Sequence, residues 1–230
     1  MKRLRTGGAL NILNERYGCN SRSRTVPIMA LLDAHPTDDP ATLRCTIEAH
    51  THGACACGVR STGPVEKFAL ALFEAQFNES WREAGHRRYT FAECLEFQTE
   101  LFCAAPIRGR LFEYRSRAAM LALLEKEAGA WTTRRPTPHE DGTLGMDYVA
   151  RRDGVDAFGV QVKPHTVLQR VYVMEMNRKK HALCPVPVVF HVYDSEGAFA
   201  PVDLASVLPP ACLGNERATK TEPCDSSTKL

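Results

Sequence analysis

Hydrophobic residues recur at helical spacing through the N-terminal half of the chain. Thr90 and Glu93 form a capping box, which predicts the start of a helix that ends near Phe102. The clearest apolar stripe follows Pro64 at intervals of three and four: Val65, Phe68, Ala69, Leu72 and Phe73. Further helices are predicted at Leu10–Tyr17, Pro27–Ala34 and Phe112–Ala128.

Three stretches depart from the helical pattern. Leu43–Ala49 alternates apolar and polar residues, which predicts a strand. Cys103–Gly109 is predicted to break the helix that starts at Thr90, and Trp131–Asp141 is Pro-rich and predicted to be irregular. Apart from such stretches, the N-terminal half is expected to be mainly helical.

The pattern changes to short β-prone segments near Gly145. Met146–Ala150 and Phe158–Lys163 read as two strands around an Asp-Gly turn, and Pro164 ends the second because it cannot donate to a ladder. A helix is predicted at Thr166–His181, followed by a buried strand at Pro187–Tyr193. The final prediction in this region is an edge strand at Phe199–Asp203.

The succession of elements predicts an α/β (α+β) fold. Residues 1–110 are expected to form an N-terminal, mainly helical region that contacts a core domain of residues 111–212. Residues 213–230 are polar and are expected to form a disordered tail.

The two predicted strands bring polar side chains together. Side chains alternate across a strand, so Gln161 and Lys163 share the face opposite to the apolar residues Phe158, Val160 and Val162. Asp147 lies one hairpin away on the neighbouring strand. Its carboxylate, the Gln161 amide oxygen and the Val162 backbone carbonyl are oxygen donors that suit Mg²⁺. Lys163 is placed to hold a phosphate and stabilise developing negative charge.

These residues resemble the PD-(D/E)XK nuclease signature, with Gln161 in the acidic position. Gly-Met-Asp-Tyr followed by Val-Gln-Val-Lys-Pro is similar to prokaryotic type II restriction endonucleases whose strand ends in Gln-(Ile/Val)-Lys-Pro. The resemblance covers about Trp131–Phe199. It implies that residues 111–212 form the nuclease core and that the helical region of residues 1–110 contacts DNA. It implies a central mixed β-sheet flanked by helices, with Asp147, Gln161 and Lys163 as catalytic residues and Mg²⁺ as cofactor. It also implies sequence-specific hydrolysis of double-stranded DNA, by a homodimer if the target is a palindrome.

Gln161 departs from the family pattern, where Glu or Asp is usual. The missing negative charge predicts weaker Mg²⁺ binding unless another carboxylate helps. Candidates from the sequence are Glu140 and Asp141 upstream, or Glu125 and Glu127 on the preceding helix. Alternatively, Asp147 caps a turn and Lys163 is a strand-end lysine without a catalytic role.

Two other functions remain open beside the restriction enzyme. One is a repair or junction nuclease of the same fold without sequence specificity. The other is a DNA-binding protein with an inactive core, for which Gln161 is the warning sign. No Walker loop, dinucleotide Gly fingerprint or nucleophile elbow competes with these.

Net charge and cysteine content limit the class of protein and the cell compartment that we expect. The net charge of +2 does not fit a non-specific polybasic DNA binder. Nine cysteines, no apolar run long enough to span a bilayer and no secretion signal predict a cytoplasmic protein with reduced thiols and no membrane partner. Basic residues that are candidates for DNA contact are Arg60, Arg134, Arg135, Arg151, Lys179 and Lys180, with Arg22 and Arg24 in a possible arm and Arg108, Arg110, Arg115 and Arg117 on helices. A composition bias or a solvated surface explains such residues equally well.

A second cluster contains soft metal ligands. His50, His52, Cys55 and Cys57 fall within eight residues and are candidate ligands of a zinc ion. Cys-x-Cys is tighter than the usual Cys-x₂₋₄-Cys spacing, and no second pair follows downstream. The sequence alone therefore favours a flexible loop over zinc.

Overall fold

The computed structural model describes residues 8–16, 26–53 and 55–208. The chain divides into two compact units, Met1–Leu111 and Phe112–Leu230. The predicted arm with Arg22 and Arg24 and the predicted tail at 213–230 lie outside the described residues. No helix in the described part of the chain is long and apolar enough to cross a membrane.

The first unit is helical. Two apolar clusters form its core, one around Leu43, Ile47 and Phe68 and the other around Leu13, Leu72 and Trp81. Its helices are α1 (Ala9–Arg16), α2 (Ile28–Ala34), α3 (Pro40–His52), α4 (Val65–Ala75), α5 (Glu79–Glu83) and α6 (Phe91–Thr99). The capping box of Thr90 and Glu93 is present at the start of α6, as predicted.

The strand predicted at Leu43–Ala49 is wrong, because these residues belong to α3. The Asp39 side chain caps the helix by accepting from the backbone N–H groups of Ala41 and Thr42. Leu43 and Ile47 are buried one helical turn apart, so the stripe has a period near four rather than two.

The helix break predicted at Cys103–Gly109 is also wrong. After α6 the chain passes through a π-helical turn at Glu100–Ala104 and continues directly into α7 (Ala105–Leu124). Pro106 has no N–H to donate to the preceding turn, and the wider π turn accommodates that loss without ending the helix.

The second unit is built on a mixed four-stranded sheet in the order β1-β2-β3-β4. The first three strands are antiparallel, and β3 and β4 are parallel. The strands are β1 (Trp131–Arg134), β2 (Tyr148–Arg152), β3 (Val155–Pro164) and β4 (Val188–Tyr193), with α8 (Val171–His181) as the crossover. The predicted mixture of helices with a mixed sheet is therefore confirmed.

Several boundaries in this unit differ from the predictions. Strand β1 lies in the stretch that was predicted to be irregular, and α8 starts five residues after Thr166 because a 3₁₀ turn at His165–Val167 intervenes. The predicted edge strand at Phe199–Asp203 is reduced to one bridge between Tyr193 and Phe199. The Asp-Gly turn is confirmed, since Asp153 and Gly154 both have positive φ, of 51° and 82°.

Helix α7 packs on one face of the sheet. Its residues Met120 and Leu124 join an apolar cluster with the predicted inward residues Phe158, Val160 and Val162. The opposite face carries a smaller cluster of Leu144, Met146 and Val149. On that face, the His181 ring at the end of α8 lies 5.0 Å from the Phe190 ring, between centroids.

A buried polar network connects α7 to the sheet. The Ser116 hydroxyl lies 2.8 Å from the Tyr148 hydroxyl and 2.7 Å from Nδ1 of His191. All three side chains are buried. Burial lowers the pKa of His191 to about 4.

Because the pKa of His191 is low in the folded protein, we predict that this residue lowers the free energy of unfolding in acid. Between pH 6.5 and about 4 the unfolded chain binds a proton on this side chain and the folded chain does not. We expect the folded state to lose roughly 2 kcal/mol from this residue over that window. Urea unfolding across the window should show a smaller decline for His191→Gln than for wild type. His139→Gln, at an exposed position, should keep the wild-type slope, and equal slopes in all three proteins would contradict the prediction.

Candidate active site

The β2–β3 pairing holds the Asp147 carboxylate against the neighbouring strand. Asp147 immediately precedes β2, and its N–H donates to the Val160 carbonyl at 2.8 Å. Its Oδ2 accepts from the Val162 N–H at 2.6 Å. The carboxylate is therefore anchored beside the residue that separates Gln161 from Lys163.

The amine of Lys163 lies close enough to Asp147 to affect its ionisation. Burial raises the pKa of Asp147, and the positive charge of Lys163 is the largest influence that lowers it. The Asp147 and Lys163 side chains are thus electrostatic neighbours at the junction of β2 and β3.

Gln161 offers an unpaired oxygen in the same region. Its side chain is buried, and its Oε1 has no hydrogen-bond partner among the described residues. Leaving a buried carbonyl oxygen unpaired costs about 1–3 kcal/mol. Its Nε2 faces Gly145, where a Cβ atom would stand only 2.9 Å away and where φ is 75°. The close approach and the left-handed backbone both favour glycine at this position.

The backbone carbonyl of Val162 points to the side of β3 on which Asp147 and β2 lie. In a strand the N–H and C=O of one residue point to the same side. The Val162 N–H is directed to Asp147, and the Val160 carbonyl accepts from Asp147 on that side too. The sequence-predicted donors Asp147 and Val162 are therefore adjacent.

Glu113 on α7 is a site residue that the sequence reasoning missed. Burial raises its pKa to about 7, and the charges of Asp147 and Asp141 add to the increase. Arg117 and Lys163 act in the opposite direction. Glu113 therefore lies within electrostatic range of Asp147 and Lys163, and supplies a carboxylate that Gln161 lacks.

A signal for Glu113 was present in the periodicity of α7. Met120 and Leu124 face the sheet, and continuing their helical spacing backwards reaches Arg117 and then Glu113. The sequence prediction considered Glu125 instead, which stands twelve residues further on, about 18 Å along a helix axis. Glu127 lies still further, beyond the end of α7.

Arg117, a sequence candidate for the DNA-facing surface, contacts the residues around Asp147. Its Nη2 donates to the Asp147 backbone carbonyl at 3.2 Å, and its guanidinium lies 5.4 Å from the centre of the Tyr148 ring. Its Nε is buried and has no partner within the described ranges. Arg117 thus adds a positive charge within electrostatic range of the Asp147 carboxylate.

Glu140 does not fit the predicted role of metal ligand. Arg134 donates to both of its carboxylate oxygens at 2.8 Å, and the Thr137 N–H donates at 2.7 Å. Arg134 is the main reason that the pKa of Glu140 falls to about 2. Of the upstream carboxylates, the exposed Asp141 is the better candidate because its charge raises the pKa of both Asp147 and Glu113.

Two of the arginines that are predicted to bind DNA form ion pairs within the second unit. Arg134 bridges Glu140 and Asp156, and Arg151 donates to Asp156 and to the Gly154 carbonyl. These two guanidiniums stabilise the β1–β3 end of the sheet, and their contact with DNA stays a prediction. The Arg135 carbonyl accepts from Arg134 at 3.1 Å, and the Arg135 side chain is exposed.

The basic end of α8 has a different environment. Lys179 pairs with Glu175 at 3.3 Å on an exposed helix face. Burial lowers the pKa of His181, and the charges of Lys163 and Lys180 lower it further. Lys163 and Lys180 therefore both lie within electrostatic range of His181. Arg60 belongs to the other unit, where it is exposed on a loop.

Comparisons with known proteins add no relative. No protein-family model, no curated protein and no solved structure matches the chain. The site must therefore be judged on its own geometry. Its carboxylates do not form a group of three close enough to share an ion, since the only such group of His, Cys, Asp or Glu in the described ranges lies in the first unit. Neutral oxygens would have to complete any cation site here.

Replacing Glu113 tests its unusual environment directly. The folded-state pKa of about 7 exceeds the ordinary value of 4.5, so ionisation opposes folding as the pH rises from 4.5 to 7. Without added metal, Glu113→Gln should be more stable than wild type at pH 8, by roughly 1–2 kcal/mol after allowance for partial exposure. Thermal melts should show a gain of about 2–4 °C per kcal/mol at pH 8, which shrinks towards pH 4.5. The matched change Glu125→Gln should have no such effect, and a Glu113→Gln variant that is not stabilised would refute the assignment.

Proposed function

We propose that the chain is a Mg²⁺-dependent endonuclease that hydrolyses phosphodiester bonds in double-stranded DNA, of the type II restriction class. The observation that carries the proposal is the Asp147 carboxylate held against the Val162 N–H within range of the Lys163 charge, with the unpaired Oε1 of Gln161 on the preceding residue of β3. The pairing of β2 with β3 and the α8 crossover to β4 support a PD-(D/E)XK core.

The residues where β2 begins and β3 ends offer ligands that suit a hard divalent cation. Asp147, the Gln161 amide oxygen and the Val162 carbonyl are all oxygen donors, which Mg²⁺ prefers. Glu113 and Asp141 supply negative charge that compensates for Gln161 in the acidic position. When bound, Mg²⁺ would stabilise charge on the phosphate and lower the pKa of a bound water.

The protein side chains have separate roles in this proposal. The ammonium of Lys163 binds a phosphate oxygen and offsets the negative charge that develops during attack by water. Arg117 holds the backbone of Asp147 through its carbonyl and keeps the carboxylate in position. Lys180, whose charge acts on His181 as that of Lys163 does, adds positive charge that favours approach of the DNA backbone.

The narrower parts of the proposal rest on the resemblance in sequence. A type II enzyme cutting a palindrome would act as a two-fold dimer, with one site for each strand. It would work in the cytoplasm, where its cysteines stay reduced. Discrete fragments from plasmid DNA would favour a restriction enzyme, whereas nicking that depends on DNA structure would favour a repair or junction nuclease.

Plasmid cleavage tests the catalytic assignment. Wild type should cleave with Mg²⁺ and not with a chelator, and Lys163→Ala should be slower by about 10²-fold or more. Asp147→Asn should lose activity similarly, while both variants still bind DNA in a gel-shift assay. Lys126→Ala, at an exposed position after α7, should cleave like wild type. Wild type that binds DNA but never cleaves it would leave a DNA-binding protein with an inactive core.

The role of Gln161 predicts a change in metal dependence. Gln161→Glu restores the missing negative charge and should lower the Mg²⁺ concentration for half-maximal cleavage by roughly tenfold. Gln161→Leu removes the oxygen and should raise that concentration or abolish activity. If both substitutions leave the Mg²⁺ dependence unchanged, Gln161 does not contact the cation.

A further inference from the structure

A set of soft metal ligands converges in the first unit, independently of the proposed nuclease site. His35 follows α2, His50 lies in the last turn of α3, and Cys55 and Cys57 stand on the loop that follows α3. One ligand atom from each residue lies within 4.8 Å of all the others.

The separations fit a small tetrahedral ion. Cys55 Sγ is 3.6 Å from His35 Nε2, and Cys57 Sγ is 3.3 Å from His50 Nε2. Zinc bonds of about 2.3 Å to sulfur and 2.0–2.1 Å to nitrogen give a sulfur–nitrogen edge of about 3.6 Å in a tetrahedron. The two Cys–His pairs are thus already spaced as edges of that tetrahedron.

The supporting contacts prepare these residues to act as ligands. His50 is buried, and its Nδ1 lies 2.7 Å from the Thr46 carbonyl. Because a carbonyl can only accept, Nδ1 carries the proton and Nε2 keeps its lone pair for a metal. The Cys57 N–H donates to Cys55 Sγ at 3.5 Å, a contact that favours the thiolate.

We propose that His35, His50, Cys55 and Cys57 bind one structural zinc ion. Four protein ligands leave no open position, which distinguishes structural from catalytic zinc. Two thiolates with two imidazoles select zinc over Mg²⁺ or Ca²⁺. The ion would tie the end of α2 to the last turn of α3 and to the loop that continues towards α4.

This site corrects the ligand set considered from the sequence. His52 is exposed, and it lies only two positions after His50, so its side chain points about 200° around the helix. His35 takes the fourth place instead. With Leu43–Ala49 predicted as a strand, the α2–α3 arrangement that brings His35 to the cluster could not be predicted. The tight Cys-x-Cys spacing is tolerated because each cysteine contacts a different histidine.

Metal analysis of the full-length protein tests the proposal. Protein purified with reducing agent and without added metal should contain about one zinc per chain after dialysis. Cys57→Ser and His35→Ala should lose the zinc. The matched changes Cys45→Ser and His52→Ala, at exposed positions on α3, should retain it. Equal zinc content in His35→Ala and wild type, or loss in His52→Ala alone, would overturn the ligand assignment.

A second measurement does not depend on whether a variant folds. Exchange of wild-type protein with Co²⁺ should produce the visible absorption of tetrahedral cobalt and an ultraviolet thiolate-to-cobalt band. Removal of the metal with a strong chelator should lower the melting temperature, and added zinc should restore it. Wild-type protein that holds no zinc and gives an octahedral cobalt spectrum would refute the site. Neither result depends on nuclease activity.

Discussion

The hydrogen bond from the Val162 N–H to the Asp147 carboxylate is the contact on which the site of the second unit depends. At 2.6 Å it fixes an acid at the start of β2 against the end of β3. Burial opposes ionisation of this acid, and Lys163 and Arg117 favour it. Lys163 on β3 and Arg117 on α7 therefore offset part of the cost of burying this charge.

The same constraint explains the surroundings of the site. Alternation along β3 sends Val160 and Val162 into the core beneath α7 and leaves Gln161 and Lys163 on the other face. The core contact in turn sets the position of α7, which brings Glu113 and Arg117 to the electrostatic neighbourhood of Asp147. Packing and site geometry are therefore coupled through one helix and one strand.

Local patterns were sufficient to predict the hairpin, the faces of β3 and the crossover to β4, because period-two alternation and the Asp-Gly turn act over a few residues. They were insufficient where partners are distant in sequence. Glu113 acts on Asp147 from a helix far away in sequence, and the spacing of α7 indicates it only once Met120 and Leu124 are known to face the sheet. His35 joins His50 through tertiary packing, and the helical identity of α3 was obscured by a short alternating stretch.

We propose that a divalent cation binds between the Asp147 carboxylate and Oε1 of Gln161. Crystals soaked with Mn²⁺ in place of Mg²⁺ and measured for anomalous scattering test it most directly. We expect an anomalous peak within coordination distance of Asp147, Gln161 Oε1 and the Val162 carbonyl. A map with no peak there, or with the Gln161 oxygen paired to a protein donor instead, would contradict it.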